Sequence, residues 1–139
     1  MVDDIYEKPM VDDIYEKGMG IRRKVLGDTH VDLALAGVDD FTRDFQSLVT
    51  RYCWGECWGR DGLTHRQRSL NNICMLAAIN RPVELATHIR AALRNGATVS
   101  EIRETLIQVA VYAGIPAGYE AFRIAHKVLV EEGALPSAS

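Results

Sequence analysis

Hydrophobic positions recur at helical spacing along most of the chain, and runs that alternate every second residue are few, so the pattern predicts an all-α fold. A short helix is predicted from Met19 to Gly27, with the glycine as its C-cap. Between Val38 and Trp58, the residues Phe41, Phe45, Leu48, Val49 and Tyr52 form one stripe, which predicts an amphipathic helix started by Asp39 or Asp40. Its end turns aromatic at Tyr52, Trp54 and Trp58. Those rings suit either core or subunit packing, or a pocket wall against a flat ring. From Thr64 to about Ile79 the chain becomes apolar on nearly all sides after Asn72, with Leu70, Ile73, Cys74, Ala77 and Ala78 as the core stripe. A helix of that kind is expected at the centre or at a subunit contact, hence an oligomer. Thr64 is its cap, with Gln67 completing a weaker capping box. Pro82 opens the next helix, with Val83, Leu85, Ile89, Ala92 and Leu93 inward and Gly96 past its end. Thr98 and Glu101 form a capping box for a helix that breaks at Gly114-Ile115-Pro116, and a last helix runs from about Ala117 to Glu132. The small residues Ala110, Ala113, Gly114, Ala117 and Gly118 either bring helices close or leave room for a ligand. The prediction is a bundle of five to six helices with short loops.

Composition narrows the function. With 139 residues, 47% of them hydrophobic, the chain has material for one core. A balance of 16 basic against 19 acidic residues gives a net charge of −3, which argues against nucleic acid and against a basic membrane-surface binder. No apolar run approaches the roughly 18 to 20 residues that span a bilayer, and the acidic start lacks the features of a signal peptide, so a cytoplasmic protein is expected. Cys53, Cys57 and Cys74 are an odd set without scaffold or zinc spacing, and are expected as reduced, small apolar fillers. The octapeptide MVDDIYEK at residues 1–8 recurs letter for letter at 10–17. Residues 1–18 are therefore expected as a flexible duplicated arm without assigned function, ahead of one helical domain at 19–135.

Candidate chemistry concentrates in the proline-started helix. Glu84 and His88 lie four residues apart, on one helical face, with Arg81 just ahead of them. A carboxylate, an imidazole and a guanidinium could together bind an acid and move a proton, although such spacing more commonly marks an exposed pair. Arg66 and Arg68 stand at the polar start of the preceding helix. His30 reads as a capping or surface residue and His126 as a solvated helix-end one. No P-loop, dinucleotide fingerprint, nucleophile elbow or metal-ligand set is present, which favours cofactor-free chemistry or simple binding.

Three ordered stretches, RYCWGECWGRDGLTHRQRSL, INRPVELATHIRAALRNGAT and EIRETLIQVAVYAGIPAGYEAF, resemble the γ-carboxymuconolactone decarboxylase family, as does the preceding KVLGDTHVDLALAGVDDFTRDFQ. The resemblance spans roughly residues 19 to 133. It implies an alkylhydroperoxidase D-like helical bundle assembled as a homo-oligomer, a hexamer built as a trimer of dimers. The peroxidase branch of that superfamily carries C-x-x-C-x-x-x-H, and its cysteines would fall at Arg81 and Glu84, so only the histidine, His88, persists. Thiol peroxidase chemistry is thereby disfavoured; Cys53 and Cys57 could restore it only on an irregular helix at Gly55. The implied reaction is decarboxylation of 4-carboxymuconolactone to 3-oxoadipate enol-lactone in protocatechuate breakdown, on a small lactone dicarboxylate without cofactor or metal. The roles implied are His88 as proton donor or oxyanion partner, Glu84 as its orienter or as the acid, Arg81 or Arg68 on a substrate carboxylate, and Trp58 with Glu56 as one wall. WGECW, AINR and GIPAGYEAF depart from the WGEVW, ALGR and GIPAANxAF more usual in the family. Tyr119, a bulky phenol in place of a small amide, leaves open another carboxylated lactone, and a non-catalytic ligand-binding oligomer is the reading from a different class.

Overall fold

The computed structural model describes residues 12–137. The first copy of the octapeptide and the start of the second, residues 1–11, lie outside the described residues. Residues 13–18 do not belong to an arm: they open helix α1 (Asp13–Leu26). The Asp12 carboxylate accepts the Tyr15 N–H at 3.1 Å, and Arg23 and Lys24 sit in the last turn, so both ends suit the helix dipole. Gly27, at φ +90°, stops α1 and leads directly into α2 (Asp28–Ala36).

The amphipathic helix expected from Asp39 starts later. The Asp39 carboxylate accepts the N–H groups of Phe41 and Thr42, each at 3.0 Å, and closes a turn first. Helix α3 (Arg43–Leu48) follows and passes without a break into a π-helical segment, Val49–Cys57. There the Trp58 N–H reaches back five residues to the Cys53 carbonyl at 3.0 Å.

This segment packs on α1 at glycine contacts. A Cβ on Gly18 would lie 2.0 Å from the Thr50 carbonyl oxygen, and one on Gly55 would lie 2.8 Å from that of Ile14. Between the two helices Arg22 is buried, its guanidinium donating to Thr50 Oγ1 at 3.2 Å and to Gln46 Oε1 at 3.0 Å. The inner face is therefore Thr50, Trp54, Gly55 and Trp58. The periodic stripe Phe41, Phe45, Leu48 and Tyr52 faces outward, with Phe41 94% exposed.

The other four helices form a bundle: α4 (His65–Ala78), α5 (Pro82–Arg94), α6 (Val99–Ala113) and α7 (Ile115–Glu131). Thr64 and Gln67 form both halves of a capping box, as do Thr98 and Glu101, so glutamine completes the motif fully here. Pro82 occupies the first turn of α5, and Gly96, at φ +93°, follows its end. The core joins Ile73, Leu85, Ile89, Ile102, Leu106, Val109, Ala125 and Val128. Between α6 and α7 the small residues serve close approach, since a Cβ on Gly18's counterpart there, Gly118, would lie 2.6 Å from Ala110 Cβ. Val83, expected inside, is exposed, as are Met75, Ala78 and Ile79 near the α4–α5 junction.

The all-α expectation is met, with seven α-helices and the π segment among the described residues rather than five to six. A second, smaller core of Val25, Trp54, Trp58 and Ala91 joins α1 and the π segment to α5. His88 lies along this seam.

Candidate active site

Helix α5 presents Leu85, Ile89 and Ala92 to the bundle core and Ala91 to the tryptophan core. His88 falls between these two faces and is half-buried. Its ring centre is 6.4 Å from that of Trp54, with the planes 12° apart, and 6.3 Å from that of Trp58, at 26°. The two indoles are 5.1 Å apart. In a helix bonded to the fifth residue back, a turn takes more than four residues, so side chains four apart come nearly into line. That register lets both rings face one histidine.

Asn72 of α4 completes the surroundings, its Nδ2 lying 3.3 Å from His88 Nδ1. An amide nitrogen only donates, so the ring nitrogen accepts and the imidazole is neutral. Its pKa agrees, pulled down to about 4 chiefly by burial, further by the charge of His30, and partly offset by Glu84. A second polar link between the same helices runs from Asn95 Nδ2 to Ser69 Oγ at 3.0 Å. His65 lies beside Trp58, with ring centres 5.8 Å apart.

The remaining sequence candidates have other surroundings. Glu84 is exposed one turn before His88 and acts on it through charge, whereas the hydrogen bond to the ring comes from Asn72. Arg81 is exposed at the N-cap of α5 and donates to the Asn80 carbonyl at 3.4 Å. Arg68 donates to the Arg60 carbonyl at 3.3 Å and lies 3.9 Å from Cys57 Sγ, beside the loop after Trp58; its Nε is buried with no partner among the described residues. Trp58 meets His88, but Glu56 does not share its wall. Glu56 lines a hollow on the outer side with Ile14, Asp44, Leu48, Arg51 and Tyr52, because a step of two residues along a helix turns side chains to different faces. Tyr119 borders a separate hollow with Ala110, Ile115, Gly118 and Phe122.

Two participants escaped the sequence reading, Asn72 and His30. Asn72 was legible only as the last polar residue before α4 turns apolar. His30 was hidden because its approach to His88 depends on how α2 folds back after Gly27. Cys53 and Cys57 do lie on an irregular helix; burial pushes the Cys53 thiol up, away from thiolate character, while Cys57 is exposed. Among the described residues no cluster of His, Cys, Asp or Glu is placed to hold a metal ion.

Fold and centre together define a small helical protein that sets a neutral histidine in an aromatic seam, an arrangement suited to hydrogen-bond and proton-transfer chemistry. The chain belongs to the carboxymuconolactone decarboxylase family, whose model matches residues 43–127. That span contains every candidate above except His30. The chain is 40% identical over 119 residues to the 4-carboxymuconolactone decarboxylase of Acinetobacter baylyi, covering 86% of this chain and 89% of that one. It is 39% identical over 112 residues to the nitrosuccinic acid decarboxylase of Metarhizium robertsii, covering 81% and 78%. A 4-carboxymuconolactone decarboxylase of Pseudomonas putida is 49% identical over a shorter stretch of 39 residues, 28% of this chain and 81% of that one.

Proposed function

We propose that this protein is a cofactor-free carboxy-lyase converting 4-carboxymuconolactone to 3-oxoadipate enol-lactone and CO₂ in protocatechuate breakdown. The observation that carries the proposal is the neutral His88, with Nδ1 occupied by Asn72 and Nε2–H left to donate, in a family whose named relatives are decarboxylases. The substrate holds its own electron sink. Its leaving carboxylate sits on the carbon next to the ring C=C, which is conjugated to the lactone carbonyl. As the C–CO₂ bond breaks, its electron pair moves through the double bond to the carbonyl oxygen. His88 Nε2–H hydrogen-bonds that oxygen as charge develops there. One proton then returns to ring carbon from water, with the exposed Glu84 carboxylate one turn from His88 as the group that relays it. Arg68, with its unpartnered buried Nε, and Arg81 at the start of α5 are the candidates to hold the second carboxylate. Trp54 and Trp58 give the flat lactone an apolar wall.

A second substrate is favoured by the Metarhizium relative. Nitrosuccinate is likewise a dicarboxylic acid with its own sink, since loss of CO₂ from the nitro-bearing carbon places charge on the nitro oxygens. The same histidine can serve both. The exposed apolar residues Phe41, Phe45, Leu48 and Tyr52, together with Val111, Tyr112, Ile115 and Tyr119, support assembly as a homo-oligomer; the form proposed is a hexamer built as a trimer of dimers. No helix among the described residues is long and apolar enough to cross a membrane, and the proposed setting is the cytoplasm.

The test is turnover of 4-carboxymuconolactone generated in place from 3-carboxymuconate by a cycloisomerase, with CO₂ and enol-lactone both followed, and nitrosuccinate run beside it. Release of CO₂ from the lactone supports the proposal. Turnover of nitrosuccinate alone replaces the substrate, and a folded oligomer idle on both overturns the reading.

A further inference from the structure

We infer that Asn72 is a positioning residue, which fixes His88 as the Nε2–H tautomer so that the ring offers the substrate a donor and not a lone pair. The inference rests on the reading of His88 as the oxyanion partner and assigns what sets that partner's polarity. A neutral imidazole carries one N–H and one lone pair, and its two tautomers lie close in energy in water, so the protein must choose between them. The Asn72 amide nitrogen, 3.3 Å from Nδ1, has hydrogens and no acceptor site, and a ring nitrogen can meet it only with a lone pair. The proton is therefore on Nε2. Trp54 and Trp58, both buried and nearly parallel to the ring, oppose the half-turn about χ2 that would exchange the two nitrogens.

Other polar groups approach the ring from each neighbouring element. From α2 comes His30, from α5 itself Glu84, and beside Trp58 stands His65. Asn72 is the group among the described residues that hydrogen-bonds the ring, and it comes from α4, a helix fixed in the main core by Ile73 beside it. Glu84 in that place would act oppositely. A carboxylate only accepts, so it would demand an N–H on the nitrogen it faced and favour the imidazolium. An amide instead sets the tautomer without adding charge.

The experiment uses the full chain labelled with ¹⁵N in histidine, in its assembled form, comparing wild type with Asn72→Leu and Asn72→Asp. Nitrogen NMR distinguishes a protonated, pyrrole-like ring nitrogen from a bare, pyridine-like one. Wild type is expected to show a pyrrole-like Nε2 and a pyridine-like Nδ1 at neutral pH. Asn72→Asp is expected to place a proton on Nδ1 and move the His88 titration upward. Asn72→Leu is expected to leave a mixture of tautomers. If the Asp variant does not fold, the Leu variant carries the comparison. In turnover, kcat is expected to fall about 10²-fold or more in Asn72→Asp and only about 2- to 5-fold in Asn72→Leu, where a share of the rings keeps Nε2–H, while KM changes little, because the lost interaction forms with the developing charge. An Nδ1–H tautomer in the wild type, or the same tautomer in all three proteins, overturns the inference. Tautomer changes as expected in a protein that decarboxylates neither substrate uphold the positioning role and overturn the decarboxylase reading instead.

Discussion

Because burial holds His88 neutral, the protein should lose stability on mild acidification by an amount that one residue controls. The unfolded imidazole titrates near its ordinary 6.5, whereas the folded one is pulled down to about 4. Above pH 6.5 both states are unprotonated at this site and the residue contributes nothing to the slope. As pH falls through 6.5 the unfolded chain takes up a proton that the native chain refuses, so stability declines until the native ring titrates near 4. At pH 5 the unfolded ring is protonated over neutral by about 30 to 1 and the native one by only about 1 to 10, which favours unfolding by about 2 kcal/mol. The loss levels off at about 3 kcal/mol below both values. Urea unfolding of wild type and His88→Gln at pH 7.5 and pH 5, at one protomer concentration and one ionic strength, isolates the effect, since the other titrating groups cancel in the difference. The Gln variant should lose about 2 kcal/mol less than wild type between the two conditions. Equal losses would show that His88 is not held neutral by burial, and the assignment of a neutral donor would fall with it.

Four further outcomes are expected. Replacing His88 by Ala should lower kcat by about 10²–10⁴-fold with the fold retained by circular dichroism, and Glu84→Gln should do so at the low end of that range; near wild-type turnover in both would sink their roles. The acid limb of wild-type kcat/KM, attributable to His88 in the free enzyme, should fall near pH 4 and not near the ordinary histidine value of 6.5, as a pH–rate profile will show. Gly18→Ala should cost at least about 1–3 kcal/mol in chemical denaturation, since its Cβ would meet the Thr50 carbonyl; unchanged stability would mean that α1 does not dock on the π segment as described. Phe45→Asp with Tyr52→Asp should reduce the mass of the assembly in light scattering without unfolding the protomer, and an unchanged mass would place the subunit contact elsewhere.

Much of the bundle was legible in the sequence because its signals are local. Thr64 with Gln67, Thr98 with Glu101, Pro82 and Gly96 mark helix ends through side chains a few residues apart, and the structure places the ends where these residues put them. Over the stretch from Val38 to Trp58 a period of 3.6 does not describe the chain, because its second half is π-helical. Its regular apolar stripe faces outward, and the inner face is chosen by Gly18 against Thr50 and by Gly55 against Ile14, contacts between residues some thirty to forty positions apart that no local pattern records. The site divides in the same way. Glu84 and His88 share a helix face and were found from spacing. Asn72 and His30 come from other helices, and what brings each to His88 lies outside its own segment. Glu56 is near Trp58 in sequence, but the helix turns it to a different hollow.

A neutral donor is a better fit to the proposed reaction than a charged one. The substrate arrives as a dianion, and a fixed cation at the reacting end would bind its leaving carboxylate in the ground state, an attraction that weakens as CO₂ departs and so opposes the step. An uncharged N–H gains most when charge reaches the lactone oxygen, which happens only as the bond breaks. The cations Arg68 and Arg81 are then best kept for the carboxylate that stays. On this account the aromatic seam has two effects: Trp54 and Trp58 exclude water from the leaving carboxylate, and the same burial keeps His88 uncharged. Opening the seam with Trp54→Ala should therefore do more than remove packing. Water reaching His88 would let its pKa rise toward 6.5, and the acid limb of the rate profile should move up with it. A Trp54→Ala enzyme that is slower but keeps its acid limb near pH 4 would separate the two effects and leave the indole as a wall alone.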